Sequence, residues 1–500
     1  MTPPKSAAKR APEHVDVLIV GAGLSGIGAA AQLTRELPGK SYVVLEGRPR
    51  MGGTWDLFRY PGIRSDSDMF TLGYRFKPWR GEKSLADGPS ILAYVEETAR
   101  EYGVDRHIRY GHRVVSVNWD SAAKRWTADI DVTDEAGKVT TTTMTTSFLY
   151  ACSGYYNYDH GYEPEFPGIE SFGGTVVHPQ HWPEDLDYSG KKVVVIGSGA
   201  TAVTLVPAMA LPPVAEGGAG HVTMLQRSPT YILPVPGIDP ISQRIRKVMP
   251  EKASYTTVRW KNVTQAAALY GASRKWPGGM RKFIRKLSVK SLPEGYPVDV
   301  HFKPRYDPWD QRLCLVPDGD LFEAIKAGRA EVATGLIDSF DETGIVLTNG
   351  EHLDADIVVT ATGLELLAFG GIVMSIDGEP VKAPETMAYK AMMLSGVPNF
   401  VFTVGYTNAS WTLKADLVAE YVCRLLRHLD QNGLKVAVPV RDPNVAEEPF
   451  MDFSAGYVLR ALDELPKQGA EEPWKLKQNY LHDVRTLRRG KLDDGVLSMS

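Results

Sequence analysis

The chain has 500 residues, 43% hydrophobic and 23% charged, with a formal net charge of -4. At ~150 residues per domain this length implies two or three domains, and a near-neutral total argues against a general nucleic-acid binder. Three widely spaced cysteines, Cys152, Cys314 and Cys423, exclude a disulfide scaffold, a cysteine-rich zinc site and a C-x-x-C redox motif.

Met1 to His14 is basic and polar without an apolar segment, so it reads as a disordered lead-in and not as a signal peptide. No apolar run approaches the ~18 residues of a membrane span. The expectation is a soluble protein of a reducing compartment, the cytoplasm.

Val15 to Val20 is a short apolar run of the kind that fills a strand buried on both faces of a parallel sheet. It leads into Gly21-Ala22-Gly23-Leu24-Ser25-Gly26, then into apolar residues at helical spacing until Pro38-Gly39, then into a second strand, Tyr42 to Leu45, ending in Glu46. Gly21 permits the tight turn, Gly23 lets backbone approach a pyrophosphate, and Gly26 lets helix and strand pack closely. The helix N-terminus offers free amides to phosphates. Glu46, 20 residues after Gly26, stands where a carboxylate accepts both hydroxyls of an adenosine ribose. A plain βαβ turn would leave three glycines and the acid unexplained.

The pattern repeats near residue 190. Lys192 to Ile196 is an apolar strand, followed by Gly197-Ser198-Gly199-Ala200-Thr201-Ala202 and a helix through Leu205 and Met209. The next strand, His221 to Leu225, ends in Gln226-Arg227-Ser228. An acid there would repel a 2′-phosphate, whereas a guanidinium grips one with charge-assisted hydrogen bonds; the alternative for Arg227 is a surface salt bridge. The first site therefore suits FAD and the second NADPH, which implies hydride transfer from NADPH to a flavin. None of the eleven histidines forms a ligand-spaced cluster with acids or cysteines, so no metal site is expected.

Residues 241 to 290 contain 13 Lys or Arg and one acid, Glu251, a net +12 that leaves -16 over the other 450 residues. Met280, Phe283, Ile284 and Leu287 run at helical spacing beside Arg281, Lys282, Arg285 and Lys286. The favoured reading is a helical insertion with a solvated basic face. The other is peripheral contact with an anionic membrane surface.

Flavin enzymes with two such folds divide mainly into disulfide reductases and monooxygenases, and the missing C-x-x-C removes the first group. Phe172-Gly-Gly-Thr-Val-Val-His-Pro-Gln-His-Trp182-Pro183 resembles the F-x-G-x-x-x-H-x-x-x-W-[P/D] fingerprint of type I Baeyer–Villiger monooxygenases through Phe172, Gly174, His178, Trp182 and Pro183. A second signature of that family, [A/G]-G-x-W-x-x-x-x-[F/Y]-P-G-x-x-x-D, matches Gly52, Gly53, Trp55, Tyr60, Pro61, Gly62 and Asp66. The likeness runs from about residue 15 to about residue 490.

The resemblance implies an α/β fold of two interleaved Rossmann-like dinucleotide-binding domains with a helical insertion. The FAD-binding domain would take 1–155 and 365–500, the NADPH-binding domain 156–230 and 313–364, and the insertion 231–312. It adds Gly53, Thr54, Trp55 and Asp66 to the FAD site. It implies an NADPH- and O2-dependent oxygenation of apolar ketones through a C4a-peroxyflavin, with S-oxidation of sulfides and thioamides as a side activity. By the same match Arg312 takes the place of the catalytic arginine and Asp66 that of the carboxylate holding it. Residue types alone would make Asp66 a cap near Ser65-Asp66-Ser67-Asp68 and Arg312 an ordinary salt bridge. His178 and Trp182 fall in the linker before the second fold, where packing is favoured over proton transfer, and Ala361-Thr362-Gly363 resembles the hinge returning to the FAD domain.

One departure is Gln311, where many members have a lysine reaching the 2′-phosphate; NADPH preference then rests on Arg227 and Ser228. The runner-up is a heteroatom-oxygenating flavin monooxygenase, disfavoured by Trp182. A flavoprotein sensor or binding protein without oxygenation is disfavoured by Asp66 and Arg312.

Overall fold

The computed structural model describes residues 12–311, 313–451 and 455–500. Its first sheet has nine strands drawn from both ends of the chain. Tyr42–Leu45, Glu13–Val20, Val139–Ala151 and Phe400–Phe402 run parallel at its centre. Arg125–Thr133 and His112–Asp120 extend it as an antiparallel meander.

Val139–Ala151 joins the two halves. Its first residues pair antiparallel with Arg125–Thr133 and its last residues pair parallel with Glu13–Val20. The central strand is buried on both faces, as its apolar run predicts. Val17 and Ile19 belong to one core with Ala30, Leu33 and Leu417 of the covering helices, while Leu18 and Val20 belong to another with Trp119, Trp126 and Phe402. This strand begins at Glu13, so Glu13 and His14 are not lead-in: Glu13 pairs with Arg109, and His14 Nδ1 lies 3.0 Å from Thr145 Oγ1. Residues 1–11 of the expected lead-in lie outside the described residues.

The second sheet has five parallel strands in the order Ala330–Thr334, His221–Gln226, Lys192–Ile196, Ile357–Thr360, Thr175–Val177. Helix Ala200–Ala210 covers one face, and a three-stranded antiparallel sheet with Phe172 and Phe340 covers the other. The turn at Asn349-Gly350 joins two strands of that small sheet, with Gly350 at φ +84°.

Two linkers connect the sheets, and they pair with each other. Asn157 donates to the Glu365 carbonyl, Tyr162 to that of Gly363, and Leu367 to that of Tyr155. The outgoing and returning chains therefore form a two-stranded connection. His178 is packed against it: a Cβ on Gly161 would come within 2.2 Å of the imidazole.

Between Gln226 and Cys314 the chain forms the strand Ile232–Val235, parallel to Cys314–Pro317, and then the helices Pro240–Val248, Glu251–Lys275, Pro277–Ser291 and Val298–His301. The insertion thus opens with a strand before its helices. The long helix is anchored to the first domain by Arg259. Its guanidinium donates to Asp416 at 2.9 Å and to the carbonyls of Phe70 and Gly73 at 2.9 and 2.6 Å.

Candidate active site

The first glycine loop has the backbone its residue types require. Gly21 has φ +99°, and a Cβ there would lie 2.7 Å from the Cys152 carbonyl oxygen. A Cβ on Gly26 would approach the Gly21 carbonyl oxygen to 1.8 Å, so helix and strand could not keep this spacing with any other residue. Gly23 caps helix Leu24–Glu36 and faces Gly53, which itself caps Thr54–Leu57 at φ 58°. Two glycine loops thus meet without side chains between them. Tyr158 closes the far side, its hydroxyl 3.3 Å from Thr54 Oγ1.

Glu46 is 7% exposed. Its Oε2 accepts from the Ala22 amide at 2.7 Å and its Oε1 from the Arg48 amide at 2.9 Å. Burial raises its proton affinity, opposed by those two amides and by the Arg48 guanidinium. Each carboxylate oxygen has two acceptor positions, so the backbone bonds leave one on each oxygen for a hydroxyl.

The second loop repeats the geometry. Gly197 has φ +133°, with the Ala361 carbonyl oxygen 2.3 Å from where a Cβ would lie. Gly199 caps helix Ala200–Ala210 and has open space beside it. Ala202 is fully buried at the position that needs a small residue. Arg227 and Ser228 are exposed, and Arg227 forms no ion pair among the described residues.

Both loops open on a shared cleft of about 1160 Å³. Its wall contains Gly21, Gly23, Glu46, Gly53, Thr54, Trp55 and Asp66 from the first domain, and Gly197, Gly199, Thr201, Arg227 and Ser228 from the second. Gly26 lies behind the wall and acts through packing. Arg312 lies outside the described residues, while its neighbour Gln311 is in the wall. The helix-cap alternative for Asp66 is not what is found: Asp68 caps Met69–Leu72, accepting from the Thr71 amide at 3.1 Å, and Asp66 faces the cleft half-buried.

The fingerprint around His178 is outside the cleft. His178 Nδ1 accepts from the Gln180 amide at 3.2 Å, and burial lowers its proton affinity. Trp182 packs, partly buried, against the second core.

Several further cleft residues act through partners that no local motif announces. The Tyr60 phenol is pushed up to about 12 by burial, with Thr201 of the second loop among the groups that oppose the rise. Arg64 makes a two-pronged pair with Asp320 at the start of helix Asp320–Lys326. Trp411 stacks on Tyr155 with ring centroids 4.9 Å apart and donates from Nε1 to Ser25 Oγ at 2.7 Å. Tyr60 and Trp411 fall within segments that carry the family likeness, but their partners are far away in sequence.

Residues 85–217 match the profile of flavin-binding monooxygenase-like proteins, and residues 19–77 that of NAD(P)-binding Rossmann-like domains. The FAD-containing monooxygenase EthA of Mycobacterium tuberculosis is 59% identical over 483 residues, 96% of this chain and 97% of that protein. The probable FAD-binding monooxygenase AlmA of Acinetobacter baylyi is 50% identical over 487 residues, 97% of this chain and 96% of that protein. Among solved structures, oxidized steroid monooxygenase bound to NADP superposes with a TM-score of 0.70 at 24% identity, covering 85% of this chain and 88% of that one. Open cyclohexanone monooxygenase superposes with a TM-score of 0.71 at 20% identity, covering 86% and 90%. These two share the fold of two dinucleotide-binding domains. With more than half its residues identical to EthA over nearly the whole of both chains, the protein belongs to the family of FAD-containing, flavin-binding monooxygenases.

Proposed function

We propose that this monooxygenase is an NADPH- and O2-dependent Baeyer–Villiger enzyme that converts apolar ketones to esters or lactones, with oxidation of sulfides and thioamides as a side activity. The observation that carries the reading is the shared cleft: two glycine loops open on one space, with Asp66 and Gln311 in its wall. FAD fits the first loop, where the free acceptor positions of Glu46 suit ribose hydroxyls and the apposed glycines leave room for a pyrophosphate. NADPH fits the second, where Arg227 stands exposed and unpaired among the described residues.

When bound, FAD supplies the transfer of two electrons from NADPH and the reaction with O2. The chain's own residues do the rest. Arg312 contributes a cation that stays protonated at any working pH and favours negative charge on the reacting oxygen. Asp66 orients that guanidinium. The Tyr155–Trp411 stack and Phe58, Leu367 and Phe369 in the cleft wall keep water from the reacting atoms.

The test is the purified holoenzyme with NADPH, O2 and a medium-chain 2-ketone, its products separated by gas chromatography. An ester carries the proposal; oxidation of an added thioether alone transfers the protein to the heteroatom oxygenases; no substrate-dependent product overturns oxygenation altogether. The cofactor assignment has its own expected result. Arg227→Ala raises the KM for NADPH by about tenfold or more, the worth of a hydrogen bond to a charged group, and leaves the KM for NADH unchanged. An equal change for both cofactors would remove Arg227 from the 2′-phosphate.

A further inference from the structure

The folded structure uses up part of the basic insertion's charge and leaves the rest on one surface. Six of the 13 cations in residues 241–290 have structural partners. Arg246 donates to the Arg80 and Gly81 carbonyls, Arg259 is buried on Asp416, and Lys261, Arg274, Arg281 and Arg285 pair with Asp239, Asp310, Asp307 and Asp299. The other seven, Lys275, Lys282, Lys286 and Lys290 among them, are exposed and have no acidic partner among the described residues.

Helix Pro277–Ser291 presents four of these seven on itself or its N-terminal flank. Its inner face is buried through Ile284 and, in part, Met280 and Leu287, which pack against Tyr231, Leu233 and Leu313. Arg281 and Arg285, on one flank, are held by Asp307 at 3.1 Å and Asp299 at 2.7 Å. The outward face is left with Lys282, Lys286 and Lys290, and beside them Trp276, Phe283 and Val289, which are 60%, 49% and 47% exposed. Water gains nothing from two exposed aromatic rings on a helix whose inward face is already satisfied. Lysines interleaved with aromatic and aliphatic side chains suit the boundary between anionic headgroups and acyl chains.

We propose that the outward face of Pro277–Ser291 docks the enzyme on an anionic lipid surface, with the lysines on headgroup phosphates and Trp276 and Phe283 entering the acyl boundary. Nucleic acid would use the lysines but not the apolar side chains, and the -16 carried by the rest of the chain opposes a long polyanion. The placement also serves the cleft. Arg281 holds Asp307, and the same short loop supplies Tyr306 and Gln311 to the cleft wall. Docking therefore brings that wall close to an apolar phase.

The FAD-loaded full-length protein, sedimented with phosphatidylcholine vesicles containing phosphatidylglycerol, is expected to pellet at low salt and to be released by high salt. With pure phosphatidylcholine it stays in solution. The triple variant Lys282→Gln/Lys286→Gln/Lys290→Gln is expected to bind about 100-fold more weakly, from the usual contribution of each lysine near such a surface. Flavin absorbance and turnover of a water-soluble ketone stay unchanged, so a folding defect would be seen separately. Brominated lipid quenches tryptophan fluorescence in the wild type and not in Trp276→Phe. No pelleting with anionic vesicles at low salt, undiminished binding by the triple variant, or equal binding to duplex DNA without quenching by brominated lipid would each overturn the proposal.

Discussion

Arg312→Ala is expected to abolish ester formation while FAD remains bound and NADPH is still oxidised. Removing one preorganised donor from a site of developing negative charge costs roughly 10²–10³ in turnover. Here the oxygen that fails to react with substrate should leave as hydrogen peroxide. The loops proposed to hold FAD lie elsewhere in the chain, at Gly21 to Gly26 and at Gly53, so cofactor content and the flavin spectrum should not change. Arg312→Lys tests charge against shape: a lysine keeps the positive charge and loses the planar fork, so partial recovery would assign the role to charge alone. The measurements are ester yield by gas chromatography and peroxide release per NADPH consumed. Retained ester formation in Arg312→Ala sinks the catalytic assignment. The residues on either side have partners of their own. Asp307 and Asp310 pair with Arg281 and Arg274 of the insertion, and Leu313 is 5% exposed against Tyr231 and Ile284.

Both glycine loops were legible because their demands are local. A left-handed turn at Gly21 or Gly197 and a near-contact at Gly26 each exclude a side chain, and a run of six residues displays all of them. Glu46 and Arg227 were legible for a similar reason, each closing the strand that follows its loop. What the sequence did not display depends on partners far along the chain. Strand pairing begins at Glu13 because Arg109 and Thr145, about a hundred residues on, give it partners. The two linkers pair residues near 157 with residues near 365. Arg64 with Asp320 brings the two domains together across more than 250 residues of sequence. In the basic insertion, helical spacing grouped Phe283 with Ile284, yet one faces out at 49% exposure and the other is 2% exposed. Composition also counted Arg259 as one more surface cation, and it is among the most buried charges in the protein.

Arg259 carries the largest expected effect on stability. Its guanidinium and the Asp416 carboxylate are each about 5% exposed and 2.9 Å apart. Asp416 also accepts from the Arg75 amide at 2.9 Å, and Arg259 closes the carbonyls of Phe70 and Gly73. Arg259→Met removes the cation and strands the carboxylate together with those carbonyls. Breaking a buried pair from one side costs about 3–5 kcal/mol, measurable as a fall in the unfolding midpoint of the holoenzyme. Arg259→Met/Asp416→Leu should recover much of this, because no buried charge is left uncompensated. The loss should also depend on pH. Burial pushes the Asp416 carboxyl up to about 6 even with Arg259 beside it and Arg75 assisting, while Glu420 adds to the rise. Without Arg259 the value climbs further above that of the unfolded chain. A group bound to its proton more tightly in the folded state loses stability as pH rises from its unfolded value through its folded one. The deficit of Arg259→Met should therefore be smaller near pH 5 than near pH 8. A deficit below about 1 kcal/mol, within the range of exposed pairs, or one that grows as pH falls, would show that this buried pair does not anchor the insertion to the first domain.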